Sequence, residues 1–135
     1  MAKRPLKLKV RIPEYRTPRQ AWRRALWHAV EAERQRLGVI YAPDDLLEVH
    51  LTLYMNRNSL FLHDVDNRLK DCLDALQAKT GGRRFGEGLT PLIPNDRQIW
   101  RVVAEKGPAP RQARGRGHLM IRKLKRRLAK AARAA

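Results

Sequence analysis

Hydrophobic and polar residues alternate strictly in two stretches of this chain, residues 6–12 and residues 47–55. A period of two is typical of β-strands that bury one face, so each stretch is predicted to be a strand. Residues 99–106 are rich in isoleucine, tryptophan and valine and predict a further strand. Residues 118–124 fit either a last strand or the start of a helix.

Apolar residues at helical spacing predict a first helix between Thr17 and Gly38. Thr17 is the expected N-cap, Pro18 suits the first helical position, and Gly38 suits the end of the helix. Trp22 and Trp27 lie on the apolar stripe, so we expect both indoles in the core; the alternative, stacking on nucleic-acid bases, requires an exposed ring.

A second helix is predicted directly after Asp64, which we place at its N-cap. Residues 56–59 read as a turn, and residues 78–95, rich in glycine and proline, read as a long loop. The apolar face of the second helix follows the spacing i, i+4, i+7, i+8, i+11 and consists of Val65, Leu69, Cys72, Leu73 and Leu76.

This order of elements predicts a small α/β or α+β domain, with a mixed β-sheet packed by two helices. We expect the domain to span residues 1–124 and residues 125–135 to form a basic C-terminal tail. A chain of 135 residues is the size of a single domain. The single Cys72 cannot form an internal disulfide, which fits a cytoplasmic location.

The chain carries a formal net charge of +17, which predicts a polyanionic partner, with nucleic acid favoured over a membrane surface. The charge is unevenly distributed: residues 1–40 carry +8, residues 41–77 carry −4, and residues 78–135 carry +13. An acidic middle between two basic arms suits a cation site surrounded by phosphate-binding residues.

The acidic middle contains Asp64 and Asp66, with Lys70 one helical turn after Asp66. Two carboxylates that converge on one point suit Mg²⁺, which takes one or two carboxylates plus water and substrate phosphates. A nearby lysine supplies the positive charge that a phosphodiester transition state needs. The alternative is structural: Asp64 would be only a helix cap, and Asp66 would interact with the helix dipole and pair with Lys70.

The segment Asp-Val-Asp-Asn-Arg-Leu-Lys at 64–70, followed by Leu-Asp-Ala-Leu at 73–76, resembles the signature of RusA-type Holliday junction resolvases (crossover junction endodeoxyribonucleases). Farther along, Asn-Asp-Arg-Gln-Ile at 95–99 is similar to the second motif of that family. The loop between the two motifs is longer than is usual, and Asn95 stands where the family often has a second acid.

The resemblance implies a homodimeric, RusA-like fold and a magnesium-dependent endonuclease that cuts four-way DNA junctions symmetrically in recombination and repair. It implies Asp64, Asp66 and Asp96 as ligands of Mg²⁺, or of Mn²⁺ in its place, and Lys70 as the catalytic lysine. Asn67 would support the site. We expect further DNA contacts from the arginines of the motif, loop and connector regions, which are Arg68, Arg83, Arg84, Arg97, Arg111, Arg114 and Arg116.

Two alternatives remain open. A non-catalytic basic protein that binds DNA or RNA would explain the charge, and a metal-dependent nucleotide-sugar transferase would explain the Asp-x-Asp motif. For the resolvase we expect branched DNA as the partner, no membrane, and a cytoplasmic location associated with the nucleoid. The expected dimer surface is an edge or face of the strand at residues 6–12 or at residues 47–55.

Overall fold

Four strands and three helices form the part of the chain that the computed structural model describes, residues 7–79, 89–110 and 117–124. None of the described helices is both long and apolar enough to cross a membrane. In chain order the elements are β1 (Leu8–Ile12), α1 (Arg19–Leu37), β2 (Leu47–Met55), α2 (Arg57–Leu62), α3 (Val65–Leu76), β3 (Ile99–Pro108) and β4 (Gly117–Lys123).

The strands form one mixed sheet in the order β1-β4-β2-β3. β2 is antiparallel to β4 and parallel to β3, so Val49 lies between Ile121 and Val102. The predicted fold class is confirmed: a small α+β domain with a mixed sheet. The expectation that β2 could offer a free dimer edge is wrong, because β2 is hydrogen-bonded on both sides; the free edges belong to β1 and β3.

The core lies between one face of the sheet and helices α1 and α3. Trp22 and Trp27 are buried there, as predicted. Their indole N–H groups donate hydrogen bonds to the carbonyls of Pro13, at 3.0 Å, and Thr90, at 2.9 Å. Cys72 is also fully buried, and burial raises the pKa of its thiol to about 12, so it is an inert filler of the core.

The ends of α1 differ in how well the sequence predicts them. Gly38 ends the helix with a left-handed backbone (φ 67°), as expected. The predicted N-cap, Thr17, is one residue too early. Pro18 occupies the N-cap position with an extended backbone, and its carbonyl accepts hydrogen bonds from the amides of Ala21 and Trp22.

Residues 56–59, predicted as a turn, instead start the short helix α2. The Asn56 side chain caps this helix by accepting a hydrogen bond from the Ser59 amide at 2.9 Å. Residues 118–124, left open between strand and helix, lie largely in β4. Of the predicted loop 78–95, the central residues 80–88 lie outside the described part of the chain, as do the tail residues 125–135.

Gly117 begins β4 where the backbone of β2 passes very close to it. A Cβ atom at Gly117 would lie 2.2 Å from the Thr52 carbonyl oxygen, too close for either backbone to accommodate. Gly117→Ala should therefore lower the free energy of unfolding by about 1–3 kcal/mol. Urea unfolding measures this, with Gly107→Ala as the control, because a Cβ there meets nothing within 4 Å. Equal effects of the two substitutions would contradict the close approach.

Candidate metal centre

Helix α3 and its N-cap carry polar and charged side chains on two faces, of which one is exposed to solvent and the other is buried. Asp64, Asp66, Asn67 and Lys70 are exposed, whereas Asp71 is buried against α1. The helix forms here because its apolar residues meet the core at helical spacing. The negative charge of Asp66 in the first turn also stabilises the helix through its interaction with the helix dipole. The motif residues are therefore left facing solvent on a rigid element.

Only part of the alternative interpretation is borne out: Asp66 lies in the first turn, where its charge interacts favourably with the helix dipole, but the side-chain contacts of the two acids are missing among the described residues. Asp64 stands at the N-cap position, but its side chain forms no capping hydrogen bond; only its carbonyl accepts one, from the Arg68 amide at 3.2 Å. Within the described residues, Asp66 and Lys70 form no ion pair with each other or with any other side chain. Both carboxylates are thus free to bind a cation.

The other two acids of α3 are neutralised by arginines. Asp71 is only 1% exposed, and its carboxylate accepts hydrogen bonds from Arg23 at 2.7 and 3.0 Å. Arg19 lies 3.0 Å and Arg68 3.3 Å from the same carboxylate, and Arg23 also reaches Asp74 at 3.1 Å. This buried cluster fixes α3 against α1, and it explains why the sequence gathers more acids here than a metal site needs.

Arg68 belongs to this cluster and not to the exposed surface. It is 5% exposed, and its guanidinium lies 3.8 Å from the centre of the Tyr15 ring, within cation–π range. The Arg68 side chain is therefore occupied inside the protein, and the expectation that it contacts DNA does not fit this position. Sequence reasoning missed its role because Arg68 interrupts an otherwise apolar face.

The other predicted DNA contacts are distributed differently. Arg97 is exposed, next to Asp96. The remaining predicted DNA-contacting arginines lie outside the described residues: Arg83, Arg84, Arg111, Arg114 and Arg116.

Lys106 holds the turn that precedes Asp64. It lies opposite Leu53 in the β2–β3 pairing, on the helix side of the sheet. Its Nζ donates hydrogen bonds to the carbonyls of Leu60 and His63, the latter at 2.7 Å. These carbonyls belong to the C-terminal end of α2, so Lys106 fixes the backbone that leads into Asp64. The sequence signal for it is a lysine at a core-facing position of a strand.

Asp96, the third predicted ligand, is exposed in a 3₁₀ turn (Asp96–Gln98) that leads into β3. Its neighbours shape this turn: the Asn95 side chain accepts from the Arg97 amide, and the Gln98 side chain accepts from the Asn95 amide, both at 2.9 Å. Gln98 is buried and donates to two backbone carbonyls of the loop before β2. The glutamine of the second motif is therefore structural, whereas the Asp96 side chain has no partner among residues 7–79, 89–110 and 117–124.

The direction of the strands separates Asp96 from Asp64 within one chain. Asp96 precedes Ile99, which pairs with the first residue of β2, whereas Asp64 lies beyond the far end of β2, near Lys106. At about 3.3 Å per residue, this places them on the order of 20 Å apart. Accordingly, no three His, Cys, Asp or Glu side chains among the described residues are grouped to hold a metal ion.

The exposed pair still has the chemistry that magnesium prefers. Asp64 and Asp66 supply carboxylate oxygens, and Mg²⁺ commonly uses one or two carboxylates with water and substrate phosphates completing its shell. The pair therefore fits the ion as a partial site that needs further oxygen ligands from elsewhere.

No protein-family model matches the chain, and no curated protein shows significant similarity to it. The resemblance to RusA-type resolvases stays a prediction from the two motifs.

The buried cluster around Asp71 yields a stability prediction. Asp71→Asn removes the charge that Arg19, Arg23 and Arg68 share, and breaking such a buried network costs about 3–5 kcal/mol of unfolding free energy. Urea unfolding followed by circular dichroism measures the loss. The control is Glu33→Gln, which breaks an exposed pair with Arg36 and should leave the free energy of unfolding almost unchanged. An equally small change for Asp71→Asn would contradict the role of the cluster.

Proposed function

We propose that the protein is a magnesium-dependent endodeoxyribonuclease that resolves four-way DNA junctions by paired, symmetric phosphodiester hydrolysis. The observation that carries the proposal is the exposed face of α3. Asp64 and Asp66 lie there without a side-chain capping bond or an ion pair to any residue that the structure describes, and Lys70 follows one turn later. The net charge of +17 supplies a surface that attracts DNA. Such an enzyme acts in the cytoplasm, at the nucleoid.

Each residue of the site has a distinct task in this proposal. Asp64 and Asp66 hold Mg²⁺, which when bound activates water and neutralises phosphate oxygens. Lys70 stabilises the negative charge that develops on the phosphate in the transition state. Asn67, exposed on the same helical turn as Asp66, supports the arrangement, and Asp96 completes the ligand set from another subunit.

The need for a second subunit is supported by an exposed apolar surface along the free edge of β3. Trp100 is 57% exposed, and Val102 and Val103 are also exposed on this edge strand. Phe61, 83% exposed, and Leu62 lie on α2, which packs beside β3. These five side chains include all but one of the large apolar residues exposed in the described part of the chain. Exposed apolar side chains gathered on and beside one free strand edge are typical of an interface.

A two-fold axis through the middle of β3 explains why Asp96 is remote from Asp64 in one chain. If β3 pairs with its copy antiparallel, the start of one β3 lies beside the end of the other. The partner subunit's Asp96 then approaches Asp64 and Asp66, and two complete sites form, related by symmetry. Two sites are what symmetric cutting of a junction requires.

The second candidate function is a basic nucleic-acid-binding protein without catalysis. It is favoured by the lack of a three-carboxylate group among the described residues of a single chain. Cleavage of a synthetic four-way junction in Mg²⁺ separates the two candidates. The nucleotide-sugar transferase has no observation in its favour.

Asp66→Asn tests the metal assignment. The substitution keeps the size of the side chain and removes one ligand charge, so folding and junction binding should persist while cleavage falls at least a hundredfold. Gel assays with a labelled four-way junction in Mg²⁺ measure cleavage, and the same junction in Ca²⁺ measures binding. Asp44→Asn is the control, because Asp44 is an exposed acid of the loop before β2. Wild-type cleavage by Asp66→Asn would exclude the assignment.

Mixing two inactive variants tests whether the site is shared between subunits. Asp66→Asn and Asp96→Asn should each be inactive alone. In their heterodimer, one site combines the intact Asp66 of one subunit with the intact Asp96 of the other, so nicking should return. Random exchange gives about a quarter of the wild-type number of intact sites. If each site were built from one chain, every site in the mixture would be defective and no nicking would return.

A further inference from the structure

The two free edges of the sheet differ in chemistry. The β3 edge exposes the apolar Trp100, Val102 and Val103 together with Arg101 and Glu105. By contrast, the exposed residues of β1, at the opposite edge, are cations at alternate positions. These are Lys9 and Arg11 within the strand and Lys7 directly before it. The buried alternate residues of β1 face the helices, so Lys9 and Arg11 project from the other face of the sheet.

That other face is mainly polar, with Met120 and Val103 as its apolar residues, and the described helices all pack on the opposite side of the sheet. Arg11 lies opposite His118 and Lys9 opposite Met120 in the β1–β4 pairing. Across β4, the next residues on the same face include Tyr54, whose ring makes an edge contact with His118 at 5.6 Å between ring centres. The face thus places hydrogen-bonding side chains beside the basic edge.

The cations near the middle of this face are already matched by an acid. Glu48 is fully buried, and its carboxylate is paired with Arg122, with His50 at 3.1 Å and with Arg101 at 3.8 Å. By contrast, the three β1 cations form no ion pair within the described residues. The unmatched positive charge of the face is therefore concentrated at the β1 edge.

We propose that this basic edge, formed by Lys7, Lys9 and Arg11, binds the phosphate backbone of a DNA arm. Alternate residues of a strand are about 6.6 Å apart, so the three cations span about 13 Å. That length matches the rise of about four nucleotides of one DNA strand. His118 and Tyr54 lie where side chains can donate hydrogen bonds to phosphate or sugar oxygens.

The proposal rests on the proposed function for its ligand and adds a second contact surface to it. β1 lies three strand spacings, about 14 Å, from the β3 edge. The basic edge therefore contacts an arm of the junction away from the scissile phosphate, and it contributes affinity without taking part in the chemistry. Because phosphate contacts carry no sequence information, the edge binds an arm of any sequence.

Lysines on an edge strand also have a different explanation, since they prevent two sheets from pairing edge to edge. The two roles lead to different measurements. A phosphate contact contributes to the salt dependence of DNA binding, whereas a protective charge affects only self-association.

The test replaces Lys7, Lys9 and Arg11 together by glutamine. Binding of a labelled four-way junction, and of a duplex of one arm, is measured by fluorescence anisotropy in Ca²⁺ between 50 and 300 mM KCl. Each lost phosphate contact should reduce the slope of log K against log salt by about 0.9, so the slope should fall by about 2–3 for the junction. The single-turnover cleavage rate at saturating protein should stay within about twofold of wild type, since no altered residue touches the site.

The control variant replaces three exposed cations on the helical side, Arg24, Arg36 and Lys79, by glutamine, which changes the net charge equally. An equal fall in slope for both variants would overturn the proposal, because total charge alone would then explain it. An unchanged slope, with or without self-association in sedimentation, would also overturn it. Weaker binding by the β1 variant, but not by the control variant, would support the proposal. This outcome does not depend on cleavage: if even the wild-type protein failed to cut DNA, the nuclease assignment would fail while the basic edge stood.

Discussion

The parallel pairing of β2 with β3 is the constraint on which the rest of the molecule depends. Because the two strands run in the same direction, whatever follows β2 and whatever precedes β3 lie at opposite ends of the sheet. Asp64 follows β2 and Asp96 precedes β3, so one chain cannot bring the two motifs together. The same pairing leaves β3 at the edge with its apolar side chains exposed. The direction of β3 thus separates the carboxylates, and its place in the strand order makes it an edge strand among the described strands.

Helix α3 can carry exposed acids because its buried ionic contacts hold it in place. An isolated twelve-residue helix is marginal in water. Packing of Cys72 and Leu76 into the core and pairing of Asp71 with Arg23 fix its orientation against α1. The packed helix holds Asp66 in its first turn and Asp64 at its N-cap, and both residues are exposed to solvent. Buried ion pairs and free carboxylates are thus parts of one arrangement.

The sequence predicts much of this fold and less of the site, for reasons that particular residues show. Strands such as Leu47–Met55 are predictable because hydrophobic and polar residues alternate wherever one face of a strand is buried. Helix α2 is not, because six residues are too few to show a helical period and Asn56 also suits a turn. The buried ionic roles of Arg68 and Asp71 are not predictable from the spacing of apolar residues, because that spacing does not show which charged residues are buried. Which end of the sheet each motif occupies depends on strand direction, which periodicity does not encode.

Lys106 gives the edge strand a second role. Its ammonium group holds the carbonyls of Leu60 and His63, and its backbone belongs to β3. In the proposed dimer, the strand that meets the partner is therefore the strand that supports the entrance to Asp64. Dissociation of that dimer would remove the partner's carboxylate, while the Lys106 contacts lie within one chain. The proposed enzyme would then be inactive when dilute, so a lone subunit encountering intact duplex would pass over it without leaving a break.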